Sequence, residues 1–288
     1  MDYLHLGIPP VLSSLYAQEV LPSLRGTRLL LGIWCLMSTL EWLANAAMFR
    51  HDGLLSWRIL SLRSGMLFKG NRFQSLFWER SIIWVLSIRI AAAIGLVITP
   101  DALLECAALL VIVGTSWFIQ MRSFLGGDGA DQMGQVVSIG ALLIAAGIAF
   151  GQLGLSFAGT LLIAGQLLIS YFVAGFSKLL SAEWRSGQAV VGVMGTHSYG
   201  HGAAARVAAG SVLFSACFCW FVILTEALFP LAMFAPHNVL IFALVAFFLF
   251  HVSTAYFMGL NTFVWAFTAA YPSIVVMNHL TTRALGLW

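Results

Sequence analysis

Apolar residues run through this chain in blocks of about twenty, separated by short polar, glycine-bearing or proline-bearing interruptions. The blocks cover residues 27–49, 81–98, 102–125, 132–150, 155–180, 203–229 and 238–270. A helix of roughly twenty residues, rising 1.5 Å per residue, crosses the ~30 Å hydrocarbon layer of a bilayer. Lipid offers no water to an unpaired backbone amide, so each block is expected to be helical. The pattern predicts an all-α, polytopic transmembrane helical bundle with about seven spans, forming a single domain over residues 1–288. The last block is longer than one crossing needs and is expected to tilt steeply or to break near Gly259-Leu260-Asn261.

Between the first two blocks the pattern changes. Residues 50–80 interleave Leu54, Leu55, Trp57, Ile59, Leu60 and Met66 with Arg50, Arg58, Arg63, Lys69, Arg72 and Arg80, which suits an amphipathic helix lying in the headgroup layer. Two uses fit it: a strut on the membrane surface, or a lid over a site that opens to the bilayer. Residues 1–26 lack a charged-then-apolar leader pattern, so no cleaved signal peptide is expected.

Composition agrees with the pattern. With 60% hydrophobic and 9% charged residues and a mean hydropathy of +0.94, the chain has too little polar surface to coat a soluble globule. Its net charge of +3 reports topology, not a nucleic-acid partner, because the basic residues fall mostly between the apolar blocks. The loops near Pro100, Gly151 and Pro236 carry no Lys or Arg, so the basic side is expected to be cytoplasmic, with Lys178 toward it. Arg25 and Arg28 weigh against that orientation. Multi-pass insertion in a membrane, in contact with its lipids, is the expected location. Cys35, Cys106, Cys217 and Cys219 show no paired ligand spacing and are expected to be buried thiols.

Ionisable residues inside spans are costly and therefore informative. Glu41 lies nine residues before Arg50 and Arg89 nine after Arg80, which places both about 13 Å in from the same boundary. A structural ion pair between Glu41 and Arg89 is expected. Glu105 and Glu226 are expected near the opposite face, within reach of water, and His251 about mid-depth, as a hydrogen-bonded structural histidine or a proton carrier. In the loop Gly126-Gly127-Asp128-Gly129-Ala130-Asp131-Gln132, either aspartate can cap the next helix or accept hydrogen bonds from a lysine. His197 and His201 stand four apart among glycines with no third ligand in view, and no metal site is expected.

Lys178 closes the fifth block. A lysine in so poorly hydrated a layer is pushed toward its neutral form and can serve as a base. The bland alternative is a snorkelling lysine that complements a helix C-terminus. The string Tyr171-Phe172-Val173-Ala174-Gly175, then Lys178-Leu179, Trp184 and Gly187, resembles a stretch of the vitamin K-dependent gamma-carboxylases and of their bacterial relatives, the HTTM (horizontally transferred transmembrane) proteins. The Gly126–Gln132 element and the stretch from His251 to Trp265 resemble bacterial HTTM members as well.

The resemblance implies that Lys178 matches the carboxylase lysine that deprotonates a reduced vitamin K, with Ser177 where those enzymes carry a preceding lysine. The cofactor it implies is a reduced, vitamin K-like quinone, and the substrate a small peptide or protein. Asp128 or Asp131 would orient the lysine, and Tyr171, Trp184, Arg122 and His251 would line the substrate and cofactor pocket. The chain as given lacks the large soluble C-terminal portion of the carboxylases, so peptide modification or maturation is expected in place of glutamate carboxylation. A non-enzymatic scaffold, immunity or receptor component of a complex is the competing expectation.

Overall fold

The structure, a computed structural model, describes residues 10–63, 79–99, 101–123 and 127–287, without the side chains of 10–22, 62–63 and 79–80. Among the described residues every regular element is helical. The order is α1 (Pro10–Ala44), a single 3-10 turn (Ala46–Phe49), α2 (Trp57–Arg63), α3 (Glu79–Ile98), α4 (Ala102–Arg122), α5 (Gly129–Ala149) and α6 (Leu153–Leu180). Three short helices follow, α7 (Ala182–Arg185), α8 (Gln188–Met194) and α9 (Gly202–Gly210), then α10 (Val212–Leu228) and a second 3-10 stretch (Phe229–Phe234). The chain closes with α11 (His237–Met258), α12 (Asn261–Thr268) and α13 (Tyr271–Ala284).

Among the described residues, seven helical stretches are long and apolar enough to cross a membrane: Ser81–Ile98, Ala102–Arg122, Gly129–Ala149, Leu153–Leu180, Val212–Phe234, His237–Met258 and Asn261–Ala284. The chain is a multi-pass integral membrane protein. The number of spans matches the expectation, but two identities differ. The final apolar block breaks at Gly259, one of the two outcomes expected of it; the φ of +73° suits a residue without a Cβ, and α11 there hands over to a separate α12–α13 stretch that counts as a span of its own. The block at 203–229 divides at Ser211, whose hydroxyl accepts from the Phe214 amide at 3.2 Å and starts α10. The long α1, which carries Arg28 and Glu41 and holds most of the expected first span at 27–49, is not among the seven. The amphipathic expectation for 50–80 rests mainly on residues outside the description; within it, α2 supplies one helical piece.

Bilayer-facing surfaces are as apolar as the interior, so small and polar residues mark which side of a helix points inward. On α6 the buried stripe is Ser156, Gly159, Ile163, Leu167, Tyr171 and Gly175, while Ile169, Phe172, Val173 and Phe176 face outward. A Cβ on Gly159 would strike the Gly140 carbonyl, so the two glycines let α5 and α6 pack at backbone distance. Asn278 on α13 donates to the carbonyls of Ala232, Met233 and Ala235 at 3.2, 2.9 and 3.0 Å, which fixes the turn between α10 and α11. Cys35, Cys106 and Cys219 are buried, whereas Cys217 is exposed on α10, contrary to the expectation that all four thiols are enclosed.

Candidate functional site

The end of α6 builds the site. Tyr171, Gly175 and Lys178 follow at spacings of four and three, one face of a helix. That face meets α10 at Gly175, where any Cβ would collide with the backbone nitrogen of Ala227. With the backbones so close, Lys178 Nζ reaches Glu226 Oε2 at 2.5 Å. The Lys178 side chain is 20% exposed and that of Glu226 only 6%. Ser181 then ends α6 and starts α7: its hydroxyl accepts from the Trp184 amide at 3.3 Å and donates to Glu183 at 2.7 Å. The turn brings the Trp184 ring back over the ammonium, 5.1 Å from Nζ to ring centroid. The Arg185 guanidinium donates to the carbonyls of Leu179 and Leu180 at 2.8 and 3.0 Å, closing the C-terminus of α6.

Two turns deeper, Tyr171 hydrogen-bonds His251 Nε2 on α11 through its hydroxyl at 2.9 Å. Its ring packs on Phe229, Phe247 and Phe267 at centroid distances of 4.6, 4.1 and 5.4 Å. The Tyr271 hydroxyl interacts with Tyr171 without reaching hydrogen-bond geometry, and it and His251 Nδ1 are buried with no hydrogen-bond partner among the described residues. Glu226 lies within electrostatic reach of Tyr171, so two hydrogen-bonded pairs, Lys178–Glu226 and Tyr171–His251, follow one another as a polar thread in an apolar wall, with no hydrogen bond joining the pairs among the described residues. Beside the thread a cavity of about 410 Å³ opens between α10 and α11, lined by Glu226, Thr225, Phe229, Phe247 and Phe250 among others. Small-molecule pockets have this character: mostly apolar walls, one or two polar groups, and volumes of roughly 300–1,000 Å³.

Four residues expected at the site thus come together: Lys178, Tyr171, Trp184 and His251. Three others do not. Asp128 accepts from the amides of Ala130 and Asp131 at 2.9 and 3.0 Å, and Asp131 accepts from the Asp128 amide at 3.5 Å, a capping box that starts α5. Asp131 also accepts from Ser38 at 3.4 Å, so these carboxylates serve α5 and α1 and make no ion pair with Lys178. Arg122 lies under the Phe49 ring at 5.5 Å and lines no part of the cavity beside Glu226.

The expected Glu41–Arg89 ion pair is not formed. Arg89 donates to Thr39 at 3.0 Å and to Ser116, stacks on Trp34 at 5.0 Å and lies within electrostatic reach of Asp131. Glu41 is exposed and interacts with Asn261. The depth estimate was close, since Thr39 is two residues from Glu41, but two residues turn a helix by about 200°, onto the other side.

Glu105 and Glu226, expected within reach of water, are both buried and paired; Arg28 donates to Glu105 at 2.6 Å and to the Thr99 carbonyl at 2.7 Å. The ion pair also overturns the assignment of Lys178 and Glu226 to opposite faces. Helix α6 has 28 residues and is about 42 Å long, more than a crossing needs, so its end is a poor depth marker. Tyr271 is a site residue the sequence did not flag, and Glu226 was flagged but placed away from the site, although a carboxylate inside an apolar helix signals a cationic partner. His201 caps α9 through Nδ1, accepting from the Ala204 amide at 3.4 Å, and packs edge-on against Phe257 at 5.3 Å.

Comparison with models of known protein families, with curated proteins and with solved structures finds no match to this chain.

Proposed function

We propose that the chain is a bacterial inner-membrane protein of the HTTM type, related to the vitamin K-dependent gamma-carboxylases, that uses Lys178 as a base in the quinol-assisted modification or maturation of a small peptide. One observation carries this reading: Lys178 Nζ stands 2.5 Å from a buried carboxylate that itself lines an apolar cavity. At that distance the lysine can hand one proton to Glu226, and the free amine can then accept another. The cavity suits the ring and hydrocarbon tail of a quinol, with Phe229, Phe247 and Phe250 as walls and Glu226 as the polar contact. Such a molecule would supply a dissociable hydroxyl proton and two electrons. Trp184 lies over one side of the amine, and Tyr171, held by His251, fixes the deep end of the thread.

A second reading has its own support. The ion pair satisfies both charges, as a helix staple in a non-enzymatic scaffold, immunity or receptor component would.

Mass spectrometry of small peptides co-expressed with the wild type, Lys178→Ala and Lys178→Arg separates the two. The base reading expects a mass change lost in both variants while each still inserts; an unchanged peptide profile and phenotype in both would sink it. Ser181→Cys, in a chain otherwise free of cysteine, treated with a membrane-impermeant thiol reagent, reports which side Lys178 faces.

A further inference from the structure

Arg122, the last residue of α4, is fully buried at 0% exposure. None of its three guanidinium nitrogens has a hydrogen-bond partner among the described residues. Among the described residues its guanidinium carbon stacks over the Phe49 face at 5.5 Å. An arginine does not shed its proton to escape burial, so an unpaired buried guanidinium is among the costliest arrangements a fold can hold. Among the described side chains no acid relieves it, and Glu41 is exposed and turned to Asn261. Glu105 is taken by Arg28, Glu226 by Lys178, and Asp128 and Asp131 by the capping box. Asp101 caps the other end of α4, and Asp52 is exposed.

We infer that Arg122 anchors a binding site for the phosphate of an anionic phospholipid. It is the last residue of the apolar stretch Ala102–Arg122, whose 21 residues match one crossing, so it falls at an end of that crossing. A guanidinium presents its N–H groups in a planar fork that matches phosphate oxygens. The turn above it carries exposed Arg50 and Arg58, and basic residues at a membrane surface concentrate anionic lipid. Trp42 and Trp57 pack half-buried against the same apolar cluster as Phe49, as interfacial tryptophans do. The covering turn is tightly held, with the Leu55 amide donating to the Met48 carbonyl at 2.8 Å. The phosphate therefore enters by displacing the Phe49 ring from the guanidinium face, without unwinding that turn. The site is separate from Lys178 and does not depend on the reaction proposed there.

The test measures thermal unfolding of the purified full chain in neutral detergent supplemented with phosphatidylcholine, phosphatidylglycerol or inorganic phosphate, for wild type, Arg122→Met, Arg122→Lys and Glu79→Gln. Native mass spectrometry counts retained lipid in parallel. Phosphatidylglycerol is expected to raise the wild-type midpoint above that in phosphatidylcholine. Arg122→Met, relieved of a buried charge, is expected to unfold at or above the wild type in phosphatidylcholine and to gain little from phosphatidylglycerol. Losing the charged fork should weaken phosphatidylglycerol retention roughly tenfold to a hundredfold. Arg122→Lys, which keeps the charge without the fork, gives an intermediate loss and carries the test if Arg122→Met does not insert.

Equal phosphatidylglycerol gains in wild type and Arg122→Met overturn the proposal. So does a full shift from inorganic phosphate alone, which would make the ligand a free anion. An Arg122→Met midpoint below wild type in phosphatidylcholine, or a Glu79→Gln variant that loses the lipid response as Arg122→Met does, would place the partner inside the protein and equally overturn it.

Discussion

Removing the two ends of the Lys178–Glu226 pair should have unequal costs. The Glu226 side chain is 6% exposed and cannot follow water, whereas that of Lys178 is 20% exposed on a flexible stem and still has the Trp184 face. Lys178→Met strands a carboxylate between α6 and α10 and should cost the full penalty of breaking a buried pair, about 3–5 kcal/mol. Glu226→Gln leaves an ammonium that swings toward its exposed side and keeps a cation–π contact, so its cost should be about 1–2 kcal/mol. Removing both charges removes both desolvation penalties, and the double variant should lie within about 1 kcal/mol of the wild type or above it. The cycle then gives a coupling of at least about 3 kcal/mol. The assay is reversible unfolding in mixed micelles of increasing sodium dodecyl sulfate, followed by helical circular dichroism. A coupling below about 0.5 kcal/mol, or Glu226→Gln costing more than Lys178→Met, refutes the reasoning.

Two further predictions test what positions the pair and what does not. Gly175→Ala puts a methyl group onto the Ala227 backbone and should cost about 1–3 kcal/mol as α6 and α10 are forced apart; repeated in that background, the cycle should show a smaller coupling. Asp128→Ala removes the cap of α5 and should cost about 1 kcal/mol in the same unfolding assay. The Lys178-dependent peptide product should survive it, and loss of that product from a fully inserted variant would return the aspartates to the site.

The parts legible from sequence share a physical cause. Spans announce themselves by length and apolarity, and Gly259 and the Asp128-x-x-Asp131 box act through backbone chemistry a few residues long, so each was readable locally. Tyr171, Lys178 and Trp184 were readable because they lie within fourteen residues of one another on α6 and α7. Rotation about a helix axis was not readable. In a lipid-facing helix the outward residues are as apolar as the inward ones, so nothing in α1 showed that Thr39, and not Glu41, faces Arg89. The same blindness hid Glu226, whose partner sits 48 positions earlier in the chain. Long-range pairing in a bundle depends on crossing geometry, and small residues such as Gly175 set that geometry without carrying any charge themselves.

The choice of cation at each buried acid bears on what the Lys178 pair is for. Arg28 meets Glu105, and Arg89 lies within reach of Asp131. Arginine suits both places if the task is to hold helices together, because it forks across two acceptors and stays charged under any condition the protein meets. The chain has twelve arginines and two lysines, Lys69 and Lys178, and one of those lysines occupies the buried pair that also borders a cavity. A staple there gains nothing from lysine. Proton transfer requires it, because an amine can hand its proton to a carboxylate and take another, whereas a guanidinium keeps its charge. Lys178→Arg is therefore the most informative single change: it keeps the charge opposite Glu226 and so should keep most of the stability that Lys178→Met loses. If arginine also keeps the peptide product, the pair is a staple and the base reading fails; if stability survives and the product does not, the proton on Lys178 is what the site uses.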